Sequence, residues 1–159
     1  MKILLAADGS ACTEAAARHV ISHLDWFANR PEVHVLHVSI PLPSRVTTNL
    51  SSIAGRSVLE DYHHQESEAA SEVAAKVFRD AGVPCKLSWT VGDVATELDR
   101  YARHHGIDLV VMGSHGHGAL AGMVLGSVTT KCLATLETPI LVVRRASAAA
   151  ARPALEAAA

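Results

Sequence analysis

The chain is poor in aromatic side chains: Phe, Tyr and Trp together make up 4% of its 159 residues. A core built without them must be filled by Val, Leu, Ile and Ala, and an apolar share of 49% is enough to fill it. Cysteine is also scarce. Cys12, Cys85 and Cys132 are odd in number, far apart and without a CxxC pair, which argues against a disulfide framework and for reduced packing residues. The formal net charge of −2 offers no electrostatic case for nucleic acid, which would need a concentrated basic face. No apolar run approaches the roughly 20 residues that span a bilayer. In the opening MKILLAADGS, Asp8 and Gly9 interrupt the apolar run before it can form a signal-peptide core. These absences lead to the expectation of one soluble, cytoplasmic domain with neither nucleic acid nor membrane as partner.

What is present is an alternation. Short β-branched runs, KILLAA (2–7), EVHVLHV (32–38), CKLSWTV (85–91), DLVVMG (108–113) and PILVVR (139–144), are separated by longer amphipathic segments. That is the pattern of an α/β protein, a mostly parallel sheet covered by helices. The first, fourth and fifth runs are nearly all apolar, as in strands covered on both faces, whereas the second and third alternate and are expected nearer an edge.

Ser10 reads as the N-cap of a first helix whose apolar positions are Ala17, Val20, Ile21, Leu24 and Phe27. Leu59, Tyr62, Ala69, Val73, Val77 and Ala81 mark a second, ended by Gly82 ahead of Pro84. A third follows Asp93 and buries Val94, Leu98 and Tyr101; a fourth starts near Ser127 and runs to about Leu136, stopped by Pro139. Residues 41–57, with two prolines and many Ser and Thr, read as a long mobile loop. The domain is expected to span 1–145, with the alanine-rich 146–159 as a disordered tail.

Half of the chain's 10 glycines fall in VVMGSHGHGALAGMVLGSVTT, residues 110–130. Glycine at that density implies positive φ or close approach of the backbone to something else. In an open α/β sheet the first and fourth strands would aim their C-terminal loops, Asp8-Gly9-Ser10 and Gly113-Ser114-His115-Gly116, at one crevice. Ser127 at a helix start adds free N–H groups and a dipole that attract an anion, so a phosphate chain is the most economical ligand.

Several motifs compete for this loop. A P-loop needs a lysine after its last glycine, and Gly126-Ser127 is followed by Val128. Gly116, Gly118 and Ala121 satisfy the dinucleotide pattern G-x-G-x-x-A with Glu137 further on, but they follow the fourth run instead of the first, and Glu137 precedes a strand. A phospho-receiver is disfavoured because Asp8 has no acidic neighbour, and the SGGxDS loop of PP-loop pyrophosphatases is absent from ADGSAC. The His63-His64 and His104-His105 doublets and His117 lack a zinc-ligand arrangement and are expected at the surface. Lys131 reads as a solvated helix charge.

The spacing Gly113-x2-Gly116-x9-Gly126-Ser127 does fit a known pattern, G-x2-G-x9-G-[S/T]. It resembles the ATP-binding signature of the universal stress protein family, and the likeness extends through KILLAADGS, VHVLHV, GDVATEL and TPILVVR. The resemblance implies a flavodoxin-like, Rossmann-like open sheet of five strands in the order 3-2-1-4-5, and a homodimer paired through residues 139–144. It also implies a site. Ala7 and Asp8 would line the adenosine and metal side, Val38 would meet adenine through its backbone, and Met112 and Gly113 would border the ribose. Gly116, Gly126, Ser127 and Val128 would wrap the phosphates, with His115 on the loop between. Asp8 is the carboxylate placed to hold Mg²⁺, through water.

The function so implied is a stress-response dimer whose bound Mg·ATP sets its conformation or its choice of a regulatory protein partner. A dedicated ATPase is not expected, because the P-loop lysine and a water-orienting Gln or Glu are missing, and any hydrolysis should be slow. The alternative is a nucleotide-free interaction module of the same fold.

Overall fold

The computed structural model describes residues 1–27, 29–43, 53–117 and 125–145, and of residues 53–56 the backbone alone. Residues 44–52 of the expected loop, the expected tail 146–159, and Gly118 and Ala121 of the dinucleotide-type pattern lie outside the described residues. Strands β1 (Lys2–Ala7), β2 (Glu32–Ser39), β3 (Cys85–Val91), β4 (Leu109–Gly113) and β5 (Ile140–Val143) form one sheet in the order β3-β2-β1-β4-β5. All four pairings are parallel. Helices α1 (Ala11–Ser22), α2 (Ile53–Asp80), α3 (Val94–His105) and α4 (Ser127–Thr135) connect them, with a 3-10 turn at Leu24–Trp26 after α1.

The near-continuous apolar runs of β1 and β4 follow from cover on both faces. Ile3, Leu5 and Ala7 point into one core with Ala16, Ala17 and Val20 of α1 and Ala74 and Phe78 of α2. Leu4, Val110 and Met112 point into the other, with Ala95 and Leu98 of α3 and Cys132 of α4. Ser10 caps α1 as expected, its hydroxyl accepting from Thr13 N–H at 3.3 Å, and Asp93 caps α3 by accepting from Thr96 N–H at 3.1 Å. The chain winds outward from β1 to β3 and then crosses back to β4 on the other side. The switch point therefore falls between β1 and β4, and their C-terminal ends open one crevice.

Three expectations are corrected. β2 is an interior strand with residues 33–39 all buried; its apparent alternation came from His34, His37 and Ser39, polar groups that are buried with partners. His34 sits between Tyr101 Oη at 2.9 Å and Glu32 Oε1 at 3.0 Å. β5, read as covered on both faces, is only half-buried at Ile140, Leu141 and Val142, at the edge that the order 3-2-1-4-5 gives it.

The third correction concerns α2, which starts at Ile53 inside the expected loop and is rotated from the expected face. Of the expected apolar positions Val77 is buried and Leu59 and Val73 are half-buried, but Tyr62, Ala69 and Ala81 are exposed, while His63, Ser67, Ala70, Ser71, Ala74 and Phe78 are buried. Its inner face is polar along its middle turns, at His63, Ser67 and Ser71, where Ser67 Oγ donates to the His63 carbonyl at 2.6 Å, so an apolar period could not report it. His63 is thus no surface histidine, although His64 and His104 are exposed.

Among the described residues Phe78 is the largest side chain with no exposure, and it joins α2 to the sheet. Phe78→Ala should lower stability by about 3–5 kcal/mol through lost burial and a residual cavity, read as a drop in the denaturant midpoint with little change in slope.

Candidate functional site

Asp8 ends β1 and is held by the first turn of α1. Its Oδ1 accepts from Ser10 N–H at 2.9 Å and from the Thr13 hydroxyl at 2.6 Å, and Thr13 Oγ1 accepts in return from Asp8 N–H at 3.1 Å. Burial, the largest single influence, pushes the Asp8 carboxyl up, but the hydrogen bonds from Ser10 and Thr13, and then the nearby His117, together hold it below the ordinary aspartate value. Gly9 makes the corner with φ +76°, and a Cβ there would lie 3.0 Å from the backbone of Ala70 in α2. Conformation and space both require glycine at that turn.

The loop after β4 closes onto this corner. A Cβ on Gly116 would collide with Asp8 Oδ2, and one on Gly113 would fall 2.6 Å from Cys12 Cβ. His117 Nε2–H donates to the Asp8 carbonyl at 2.8 Å and straps the loop down. Gly126 N–H donates to the Ser114 carbonyl at 2.8 Å and Thr129 Oγ1 to the Gly113 carbonyl at 3.1 Å, which docks the start of α4 against the end of β4. Among the described residues only Gly9, Gly82 and Gly106 have positive φ, so the signature glycines answer to close approach. Gly126 is the N-cap of α4 and makes no side-chain cap. Ser127 is therefore the first helical residue instead of the cap, exposed, with the N–H groups of the first turn lacking intrahelical acceptors.

Between these loops and β2 lies a cleft of about 800 Å³, within the range of small-molecule sites. Ala7, Asp8, Val38, Met112, Gly113, His115, Gly116, Gly126, Ser127 and Val128 all line it. Sequence reasoning missed Thr13, His37, Ile40, Glu66 and Val94, which line it too. His37 Nδ1–H donates to the Ala7 carbonyl at 2.8 Å, which leaves its buried Nε2 without a partner. Glu66 adds a second carboxylate, which accepts from Ser39 Oγ at 2.9 Å. No period or motif marks these positions, because α2 and β2 bring them in through tertiary packing.

Lys131 is paired with Asp93 at 2.6 Å, instead of standing free in solvent. The ammonium of Lys131 first, then the Thr96 hydrogen bonds, hold the Asp93 carboxyl down to about 2. Among the described residues no group of three or more His, Cys, Asp or Glu could hold a metal ion. Nor is any helix among them long and apolar enough to cross a membrane.

A five-stranded parallel sheet wound 3-2-1-4-5, with its cleft at the switch point, defines the open, doubly wound α/β class with Rossmann-like winding. Within that class, the family model described as the universal stress protein family matches residues 1–144. The universal stress protein MJ0577 of Methanocaldococcus jannaschii is 31% identical over 155 residues, covering 91% of this chain and 94% of its own. This chain belongs to the universal stress protein family. The solved structure of MJ0577 superposes with a TM-score of 0.74 at 27% identity, over 92% of this chain and 96% of that one. At the level of fold, a universal stress protein in complex with cAMP matches with a TM-score of 0.64 at 22% identity, over 90% of this chain and 96% of that one. The universal stress protein of Archaeoglobus fulgidus in complex with dAMP matches with a TM-score of 0.61 at 17% identity, over 89% of this chain and 96% of that one.

Because the folded state lowers the Asp8 pKa, this carboxyl stabilises the fold at pH values above the unfolded aspartate pKa. That contribution is lost as pH falls through the lowered value. Thr13→Val removes one donor and leaves the desolvation in place. Its Asp8 carboxyl should titrate at higher pH than the wild type by carboxyl-carbon NMR, with a smaller loss of stability on acidification below pH 3.8. An unchanged midpoint would show that Thr13 does not hold the charge.

Proposed function

We propose that this chain is an ATP-binding universal stress protein in which Mg·ATP, held at the C-terminal edge of the sheet, sets the conformation offered to a regulatory protein partner. One observation carries the reading: all ten positions named from the family resemblance converge on one cleft large enough for a nucleotide. The adenosine end lies between Ala7, Asp8, the backbone of Val38, Met112 and Gly113. The phosphates lie against Gly116, His115, Gly126, Ser127 and Val128, where the first turn of α4 offers N–H groups and the Ser127 hydroxyl. The neighbours solved with cAMP and dAMP support an adenine nucleotide as the ligand class.

Asp8 fits the Mg²⁺ role in a limited way. Oδ1 is saturated by Ser10 and Thr13, so Oδ2 alone is left to bind the ion, through water, while the nucleotide phosphates supply most of its ligands. Bound there, Mg²⁺ would neutralise phosphate charge. The chain itself provides no lysine at the loop, and its two carboxylates in the cleft are engaged by Thr13 and Ser39. Hydrolysis is accordingly slow, and the protein works as a nucleotide-dependent regulator in the cytoplasm. The half-buried edge of β5 supports a homodimer joined through residues 139–144.

Two measurements test the reading. Heat-denatured protein should release stoichiometric adenine nucleotide by mass spectrometry, and empty protein should bind Mg·ATP in calorimetry. Ser127→Ala changes an exposed side chain, so the ligand-free melting temperature should hold while ATP affinity falls about tenfold, the worth of one hydrogen bond to a charged group. Protein that carries no nucleotide and fails to bind Mg·ATP would instead be a nucleotide-free interaction module. For the dimer, Leu141→Arg should halve the mass seen by light scattering at micromolar concentration; a wild type that is already monomeric there would remove the β5 interface.

A further inference from the structure

A second, smaller cavity of about 340 Å³ lies beside the cleft, sharing only the loop residues His115, Gly116 and His117 with it. Its remaining walls are the start of α1, with Ser10 and Cys12, then Ser114, and Arg144 and Arg145 directly after β5. No lining residue is acidic. Arg18, Arg79, Arg100 and Arg103 each have a carboxylate within 4 Å, whereas Arg144 and Arg145, like the distant Arg30, have none among the described residues. Two unpaired guanidinium groups, two imidazoles and the open N–H groups of the first turn of α1 thus converge on one concavity, in a chain whose net charge is −2.

The sheet itself enforces the arrangement. Ser114 N–H donates to the Val143 carbonyl at 2.9 Å, and Gly113 is in register with Val143. The arginines after β5 must therefore leave the sheet beside the β4 loop. Gly113 lets Cys12 and the start of α1 approach the same loop from the other side. Guanidinium groups bind phosphate bidentately, and the surrounding donors suit its remaining oxygens.

We infer that this cavity is an anion site for a phosphate group, beside the larger cleft and joined to it by the β4 loop. It has room for more than one phosphate group, so two sources share the chemistry. One is a separate phosphorylated small molecule. The other is a phosphate of a nucleotide seated in the cleft and reaching past Gly116. The inference does not depend on the nucleotide reading, because inorganic phosphate suffices to probe it.

Cys12 in the cavity wall is the built-in reporter. The full-length protein is alkylated with iodoacetamide, and modification of Cys12, Cys85 and Cys132 is followed separately by peptide mass spectrometry at constant ionic strength. Inorganic phosphate should slow Cys12 alkylation about fivefold or more relative to chloride, as expected for a charge-assisted site, and leave Cys85 unchanged. Arg144→Gln/Arg145→Gln should abolish the protection with an unaltered melting temperature and unaltered adenosine binding. Ser127→Ala should retain it.

If ATP protects Cys12 at lower concentration than phosphate, and adenosine does not protect, the anion is part of a nucleotide spanning both cavities. Protection by phosphate but not by ATP identifies a separate ligand. The inference is overturned if phosphate gives no protection, if the double variant is protected as well as the wild type, or if Ser127→Ala alone removes protection, since the anion then lies in the larger cleft. A failure of ATP binding in the wild type touches only the nucleotide reading.

Discussion

The close approach of the β4 loop to the β1–α1 corner is the contact on which the site depends. Gly113 lies against Cys12, Gly116 against the Asp8 carboxylate, and His117 donates to the Asp8 carbonyl. Each contact joins segments about 100 residues apart in sequence, and each needs either a missing side chain or a donor at one position. With the corner closed, the Ser114 carbonyl is presented to Gly126 N–H, and α4 starts where its first turn opens on the cleft. Two central strands, two loops and one helix N-terminus are thereby fixed relative to each other by a handful of close contacts, over a core that is buried on both sheet faces.

Much of this was legible in the sequence because the central strands obey one rule without exception. β1 and β4 are covered on both sides, so their apolar runs are unbroken and their ends could be read to within a residue. The caps Ser10 and Asp93 were legible for the same kind of reason, since the side-chain oxygen acts on a backbone N–H within three residues. What failed was whatever depends on partners distant in sequence. His34, His37 and Ser39 mimic solvent alternation in β2 because their partners, Tyr101, the Ala7 carbonyl and Glu66, come from other elements. The place of β5 at the edge came from the order that the family resemblance implied and not from its own residues, whose apolar run does not record the missing neighbour. In α2 the inward polar residues His63, Ser67 and Ser71 shifted the apparent face.

The site shows the same division. The positions on the two glycine-bearing loops and at the start of α4 were readable from spacing, because a loop's backbone demands are local. Thr13, His37 and Glu66 were not, because nothing in a helical or strand pattern distinguishes a side chain turned to a cleft from one turned to a core. Thr13 is the instructive case. It is buried at 2% exposure, so a burial-based reading would count it as packing, yet its hydroxyl is one of the donors that hold the Asp8 carboxyl below its ordinary value.

The glycines themselves are weaker testimony for a ligand than their spacing implies. Gly113 and Gly116 are already explained by contacts inside the protein, with Cys12 and with Asp8, so a chain that bound no nucleotide would still need them to close this corner. Replacing Gly116 would displace the Asp8 carboxylate and harm the cleft whether or not phosphate ever touches residue 116. The features that the fold does not account for are different ones. Gly126 caps α4 with no side chain although Ser127 is its neighbour, and the Ser127 hydroxyl is left exposed at the cleft. Water can meet open donors at an exposed helix start, so it is their aim into the cleft together with the helix dipole, more than the glycine count, that is the physical argument for an anion there.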